Sequence, residues 1–491
     1  MKTEIKNSIL FYFASFIISL LSVFLIWIQT SKYGINLSPD STHYLRWSEA
    51  ISQEGFAFIF NNKSATFPPF YPLLLSFTSA PFHLDSLIAA RWFNIILAFF
   101  FSFFSLILCR KLTNNILILL ISGLFIVASK PINNIFSYAW SEPLFLFLLL
   151  LVTFSIEKTD YKNLVLCGFL SALAILTRYA GVAIVPTVCL YIFMQKSELS
   201  EKIKKSFCYA TIPTLTYIAY LIRNYYFTKT LMGSRATSTS GLISNFDRAF
   251  STITLWFSGQ YFFMTAFLLL ILGAFIWNYK KDLVIHIINS QKIISFSACF
   301  SLVYSAFIII SSTTTAYDLI NDRLMSPVFS SVFLMMLLLI LFCIHIISSV
   351  KKDKILAYLM LSMFITCMIF SLVNTWKNDV FFRKNNGAGG YASTFWQENE
   401  LVSYLKNQDI IQPADTVFSN EPFALFLVDR KISASRISNL RYSDFERSFL
   451  IFFNIPSSLP YSYTEHKKYC EIEKVTETQG GILYKVGKCK R

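Results

Sequence analysis

About eleven apolar stretches, most of them near the length of a membrane-crossing helix, dominate this chain and leave few architectures open to it. A helix rises about 1.5 Å per residue, so roughly 20 residues are needed to cross about 30 Å of hydrocarbon. The stretches run near residues 8–29, 86–108, 115–130, 141–156, 163–177, 179–194, 206–227, 252–278, 293–313, 324–349 and 354–375. Composition agrees: of 491 residues, 55% are hydrophobic and only 14% charged, and the mean hydropathy of +0.53 is far from that of a soluble domain. The predicted fold class is an all-α polytopic membrane bundle. Its first span is longer than a signal-peptide core and has no small-x-small cleavage site, so it reads as a retained anchor.

The net charge of +15 would suit nucleic acid only if the basic residues lined one soluble face. Here they scatter among short loops and a C-terminal tail, which excludes nucleic acid as a partner and points to membrane lipids. Arg110-Lys111, Lys158, Lys162, Lys196, Lys202, Lys204, Lys205, Lys280-Lys281, Lys292, Lys351-Lys352 and Lys354 all fall on one side of the predicted bundle. The positive-inside rule makes that side, and the N-terminus, cytoplasmic. The loop 30–85, the loop 228–251 and everything after residue 375 are then extracytoplasmic.

In the first outer loop, Ser38-Pro39-Asp40-Ser41-Thr42-His43-Tyr44-Leu45 opens a predicted interfacial helix. Pro39 suits its first turn, and Ser38 or Asp40 suits its cap, so capping competes with chemistry as the reason for Asp40. His43 and Trp47 lie one turn apart on a shared face. Other ionisable groups fall at span edges on the same outer side: Arg91, Glu142, Arg178, Arg223, Arg235, Asp318, Asp322 and Arg323. Charges beside hydrocarbon are costly unless paired or hydrated, which marks them as functional candidates. Interhelical pairing, such as Glu142 with an arginine, and snorkelling to headgroups are the structural alternatives.

Arginines and carboxylates gathered at one end of a bundle suit transfer from a lipid-phosphate donor. Arginine grips phosphate through paired charge-assisted hydrogen bonds. A carboxylate accepts a proton from an attacking hydroxyl or holds a divalent cation. Apolar walls would hold the lipid chain while the reacting head stays at the outer interface. The chain shows no metal-ligand cluster of Cys or His, no Gly-rich phosphate loop and no Ser-His hydrolase signature. No cofactor is assigned, beyond a divalent cation that Asp40 could attract.

Three segments in order, Ser38-Pro39-Asp40 with its aromatic-rich helix, Phe67-Pro68-Pro69-Phe70-Tyr71-Pro72, and Ala90-Arg91-Trp92-Phe93-Asn94, resemble the first third of GT-C fold glycosyltransferases. The bacterial relatives of the dolichyl-phosphate-mannose protein mannosyltransferases and of the aminoarabinose transferase are the most similar group. Trp140-Ser141-Glu142-Pro143, Leu176-Thr177-Arg178-Tyr179-Ala180-Gly181 and Asn321-Asp322-Arg323-Leu324-Met325-Ser326-Pro327 are similar to later landmarks of that family. The resemblance implies an inverting hexosyl- or pentosyltransferase of the bacterial inner membrane, serving the cell envelope. Its donor would be a polyprenyl-phosphate-linked sugar and its acceptor a glycan, lipid or protein. Asp40 takes the role of general base, and Glu142 stands in for the second acidic residue, because Ser41 occupies the position where the family often has one. His43, Tyr44, Arg91, Arg178, Arg223, Arg235, Asp322 and Arg323 are the candidate substrate-binding residues, with Arg178, Arg223 and Arg323 expected at the donor phosphate.

Residues 1–375 are thus expected to form a transmembrane GT-C-like catalytic domain, and 376–491 a small extracytoplasmic α/β domain. The run Lys384-Asn385-Asn386-Gly387-Ala388-Gly389-Gly390 marks a linker between them. In the second part, 398–407 and 422–428 read as helices, 416–419 and 449–453 as strands. A turn at Gln479-Gly480 would set Cys470 opposite Cys489, where an oxidising compartment favours a disulfide. The stretch Gly233–Gly241 has loop composition and reads either as a lid or as a solvated connection. A transporter or flippase is the alternative class; it calls for mid-span charges and a repeated half, and no repeat is found.

Overall fold

The computed structural model describes residues 2–61, 64–233, 235–258, 292–316, 318–349, 375–437, 448–455 and 470–489, with isolated positions between 362 and 373. Helices α1 (Lys2–Gln29), α2 (Pro39–Glu54), α3 (Phe56–Asn61), α4 (Phe70–Ser79), α5 (Ser86–Arg110), α6 (Ile116–Ala128), α7 (Lys130–Ser137), α8 (Glu142–Ser155), α9 (Tyr161–Thr177), α10 (Ile184–Met194), α11 (Leu199–Thr228) and α12 (Leu242–Ser258) come first. Lys292–Thr314, the short Asp322–Met325 and Phe329–Ser349 complete the bundle.

Among the described residues, Ser8–Gln29, Ser86–Arg110, Lys292–Thr314 and Asp322–Leu341 are long and apolar enough to cross a membrane. Ile116–Ala128 and Lys130–Ser137 make a fifth if that pair, bent by 48°, is one span, and Glu142–Ser155, Tyr161–Thr177 and Tyr179–Met194 are shorter apolar helices. Helices therefore stand at each expected span within the described residues, but only four or five are both long and apolar enough to cross. The expected span at 354–375 falls almost wholly outside the described residues, as does 259–278 of the eighth.

Two breaks in helical regularity shape the bundle. Ser129 has extended backbone between α6 and α7, and Pro131 in the first turn of α7 has no N–H to continue the ladder. The chain turns there, and α7 carries Asn134 toward the site described below. Pro213 inside α11 likewise offers no N–H to the carbonyl of Tyr209. A Cβ at Gly168 of α9 would lie 2.8 Å from that carbonyl, so the absent side chain is what lets α9 and α11 approach closely.

The C-terminal part forms a five-stranded sheet in the order β2-β1-β3-β5-β4, from β1 (Thr416–Ser419), β2 (Ala434–Arg436), β3 (Ser448–Phe453), β4 (Cys470–Thr478) and β5 (Gly481–Cys489). β1 runs parallel to β2 and β3, while β3–β5 and β5–β4 are antiparallel. Every residue of β3 is buried. Phe449, Ile451 and Phe453 join the apolar core that continues into the bundle, and Leu450 and Phe452 face a second cluster with Phe418 and Tyr484. A strand covered on both faces reads as an unbroken apolar run, as Phe449–Phe453 does. The register pairs Cys470 with Cys489, because two irregularities, one between Lys474 and Thr476 and one between Cys470 and Ile472, offset each other. The side chains of both cysteines, and with them the disulfide, lie outside the described residues.

The glycine run expected as a linker is packed against the entry to α2. Leu37 pairs with Gly390 in a parallel bridge, the Tyr391 N–H donates to the Leu37 carbonyl at 2.9 Å, and the Gly389 N–H donates to Asn36 Oδ1 at 2.5 Å. Gly390 has φ +63°, and a Cβ there would lie 1.8 Å from the Leu37 carbonyl oxygen. Leu37 precedes the cap of α2, so Gly390→Ala must push that cap away. A loss of about 1–3 kcal/mol is expected, the usual range for overpacking, measured as a lower Tm of the purified protein. An unchanged Tm would show that this contact is dispensable.

Candidate active site

Helix α2 presents Asp40 because Ser38, and not Asp40, caps it. The Ser38 hydroxyl accepts the Ser41 N–H at 3.3 Å, and the Ser41 hydroxyl accepts the Ser38 N–H at 3.1 Å, a reciprocal capping box. Trp140 Nε1 also donates to Ser38 Oγ at 2.7 Å. Two consequences follow. Ser41 is buried and occupied by capping, and the Asp40 carboxylate is left for other partners.

One of those partners is Arg323. Its Nη2 lies 2.6 Å from Asp40 Oδ2, its Nε donates to Glu142 Oε1, and its Nη1 is 3.9 Å from Asp318. Arg178 Nη1 reaches the same Glu142 oxygen at 2.5 Å and donates to Ser141 Oγ at 3.2 Å. The Tyr44 hydroxyl meets Ser141 Oγ at 3.1 Å. Asp40, Arg323, Glu142 and Arg178 thus alternate in sign along one chain of contacts. The Arg323 guanidinium lies 4.4 Å from the ring centre of Trp140, which stacks on Tyr138 at 4.0 Å. Asn321 caps the short Asp322–Met325 helix through the N–H groups of Arg323 and Leu324, which fixes where Arg323 begins.

Above this chain opens a cavity of about 590 Å³. Ser38, Pro39, Asp40 and His43 line one wall, Asn134 and Trp140 another, and Asp318, Asn321, Asp322 and Arg323 a third. Thr66 and Phe67 of the proline-rich segment and Phe423 and Arg436 of the C-terminal part close it. Asp40 keeps 30% of its side chain exposed, and its Oδ1 has no hydrogen-bond partner among the described residues.

The candidate residues divide into three groups by position. Asp40, His43, Asp322 and Arg323 line the cavity. Tyr44 and Glu142 lie buried and Arg178 half-buried behind it, in contact with Arg323 or with one another through Ser141. Arg91, Arg223 and Arg235 stand outside the lining. Arg91 donates to Thr30 Oγ1 and the Trp27 carbonyl at the end of α1. Arg223 donates to the carbonyls of Ile59 and Ser64, and Tyr179 and Tyr220 to those of Ala65 and Phe67, so this group holds the segment that carries Phe67. Arg235 is exposed and donates to the Met232 carbonyl.

Trp140, Asn321, Phe67 and Asp318 sit in stretches that stand out in the sequence, but Thr66, Asn134, Phe423 and Arg436 do not. Asn134 carries a weak signal as a polar residue between apolar helices. Phe423 and Arg436 carry none, since their place depends on how the sheet docks. Among the described residues no three His, Cys, Asp or Glu side chains converge as metal ligands. The Arg323 guanidinium engages Asp40 Oδ2, and Oδ1 stays open to the cavity.

His43 packs between Phe67 and Phe423, with ring centres at 5.8 and 5.3 Å. Burial lowers its pKa below the ordinary 6.5, and Arg46 adds to this while Asp40 opposes it. The unfolded chain therefore binds more protons than the folded one between the depressed pKa and 6.5, so stability rises with pH across that window and is lost as pH falls through it. The Tm should fall on acidification below 6.5, and His43→Gln should flatten that part of the profile. An identical profile in the variant would assign the acid sensitivity to another group.

No family model and no curated protein matches the sequence. Solved structures do match the fold. ArnT of Cupriavidus metallidurans, an aminoarabinose transferase, aligns in its undecaprenyl-phosphate-bound form with a TM-score of 0.58 and in its apo form with 0.59. Both alignments have 9% identity and cover 96% of this chain and 97% of that one. The apo oligosaccharyltransferase of Archaeoglobus fulgidus aligns at 0.51 with 12% identity, over 88% of this chain and 65% of that one. The same organism's AglB, in complex with an inhibitory peptide and a dolichol-phosphate, aligns at 0.50 with 10% identity, over 90% of this chain and 69% of that one. The fold is that of the GT-C glycosyltransferases.

Proposed function

We propose that this protein is a membrane glycosyltransferase that moves a sugar from a polyprenyl-phosphate donor to an acceptor hydroxyl or amine on the extracytoplasmic side of a bacterial inner membrane. The observation that carries this reading is the Asp40 carboxylate, released from capping by Ser38 and opening onto a cavity beside Arg323. Neighbours of the same fold bound to undecaprenyl phosphate and to a dolichol-phosphate support the donor class.

In this reading Asp40 Oδ1 takes the proton of the acceptor as its oxygen or nitrogen attacks the anomeric carbon. The bond from that carbon to the phosphate oxygen breaks, and the lipid phosphate leaves from the opposite face, so the configuration inverts. Arg323 donates through Nε and Nη2 to Glu142 and Asp40, which turns Nη1 toward the place where the leaving phosphate gains charge. Glu142 acts from behind by holding that guanidinium, and Arg178 by holding Glu142. Residues 1–375 supply this machinery, and the C-terminal part is the second domain.

The test is incorporation of labelled sugar by the purified protein in liposomes, offered a panel of polyprenyl-phosphate sugars. Transfer from at least one donor is expected, and surface glycans of a strain lacking the protein should lose the corresponding residue. Failure with every donor, together with unchanged glycans, would overturn the reading.

A further inference from the structure

The C-terminal part does not hang free of the bundle, and what it brings to the cavity is a positive charge. Arg430 pairs with Glu49 of α2 and with Asp85 at the cap of α5, each at 2.6 Å. Arg46 of α2 donates to the Ile432 carbonyl at 2.7 Å. Phe426 lies under both guanidinium groups, at 5.7 Å from Arg46 and 5.6 Å from Arg430. These contacts fix the chain just before β2, whose last residue, Arg436, lines the cavity.

The cations in and behind the cavity are already matched: Arg323 by Asp40 and Glu142, and Arg178 by Glu142. Arg436 differs from them. It is exposed, and among the described residues its guanidinium makes no ion pair or side-chain hydrogen bond, its near neighbour being the Tyr391 phenol. A guanidinium held at the mouth of a cavity by tethers just before its strand is suited to an oxyanion. It comes from the C-terminal sheet, apart from the apolar helices that would hold the lipid chain.

We propose that Arg436 binds a phosphate or carboxylate group of the acceptor, so that the C-terminal part selects anionic acceptors for the transfer proposed above, on which this inference rests. The test is equilibrium dialysis of the full-length protein in detergent with three probes: a neutral hexose, the same hexose 6-phosphate, and a short polyprenyl monophosphate. The wild type should bind the hexose phosphate more tightly than the hexose. Arg436→Gln should remove that preference, a loss of about 10-fold for a charge-assisted contact, with the polyprenyl monophosphate unchanged and Arg436→Lys restoring part of it. Equal loss for the lipid phosphate in Arg436→Gln would make Arg436 a donor contact and overturn the proposal. So would a wild type with no preference for the phosphorylated sugar. A wild type that ignores the polyprenyl monophosphate but keeps an Arg436-dependent sugar-phosphate preference would count against the donor reading alone.

Discussion

Asp40→Asn should leave a folded protein that transfers sugar about 10²–10⁴ times more slowly, the usual contribution of a positioned general base. The carboxamide keeps the size of the side chain but cannot accept the acceptor's proton. The fold should survive because the cap of α2 is built from Ser38 and Ser41, and Arg323 retains Glu142. The informative measurement is kcat with a saturating polyprenyl-phosphate sugar, beside the Tm of the same preparation. A large fall in kcat at nearly constant Tm supports the base. Turnover equal to that of the wild type would remove Asp40 from the chemistry, and a collapse in Tm would show that the pair with Arg323 is chiefly structural.

The second large effect is expected at Glu142, in stability. Its carboxylate has no exposed surface and lies between Arg178 and Arg323. Truncation in Glu142→Ala leaves two guanidinium groups facing each other with one carboxylate, Asp40, remaining in the chain of contacts. Breaking a buried pair by removing one partner costs about 3–5 kcal/mol. A pronounced drop in Tm is therefore expected, with activity lost as Arg323 moves. The pair Glu142→Ala with Arg178→Met removes one charge of each sign and should recover part of the loss, a coupling that a double-mutant cycle measures. If Glu142→Ala melted with the wild type, the network would have no stabilising role.

These two residues also show how far the sequence could be read. Asp40 stood out at the opening of the first loop helix and Glu142 at a span edge, and their linear positions did not show which of the two would be buried. Their difference is one of neighbours. Ser38 takes the cap and leaves Asp40 facing a cavity, while α8 buries Glu142 between arginines drawn from two distant segments. Arg178, Arg223 and Arg323 looked equivalent as well. Arg323 reaches the cavity, Arg178 lies behind it, and Arg223 is turned to the carbonyls of Ile59 and Ser64. A guanidinium at the end of a long side chain can serve any acceptor within its radius, so span position alone does not choose one.

The hydrophobic pattern was sufficient for the membrane bundle, for the strands at Thr416–Ser419 and Phe449–Phe453, and for the opening of α2 by a Ser-Pro pair, because each depends on neighbours within a few residues along the chain. Hydrocarbon length, pleat period and cap chemistry are local constraints, and they act on any chain that carries the pattern. The tertiary structure alone decided that the Gly387–Gly390 run packs against Leu37, that α7 turns inward at Ser129, and that Phe423 and Arg436 reach a cavity opened by α2 some four hundred residues earlier. Those outcomes depend on the docking of separate elements, where side chains far apart in sequence compete for the same partners.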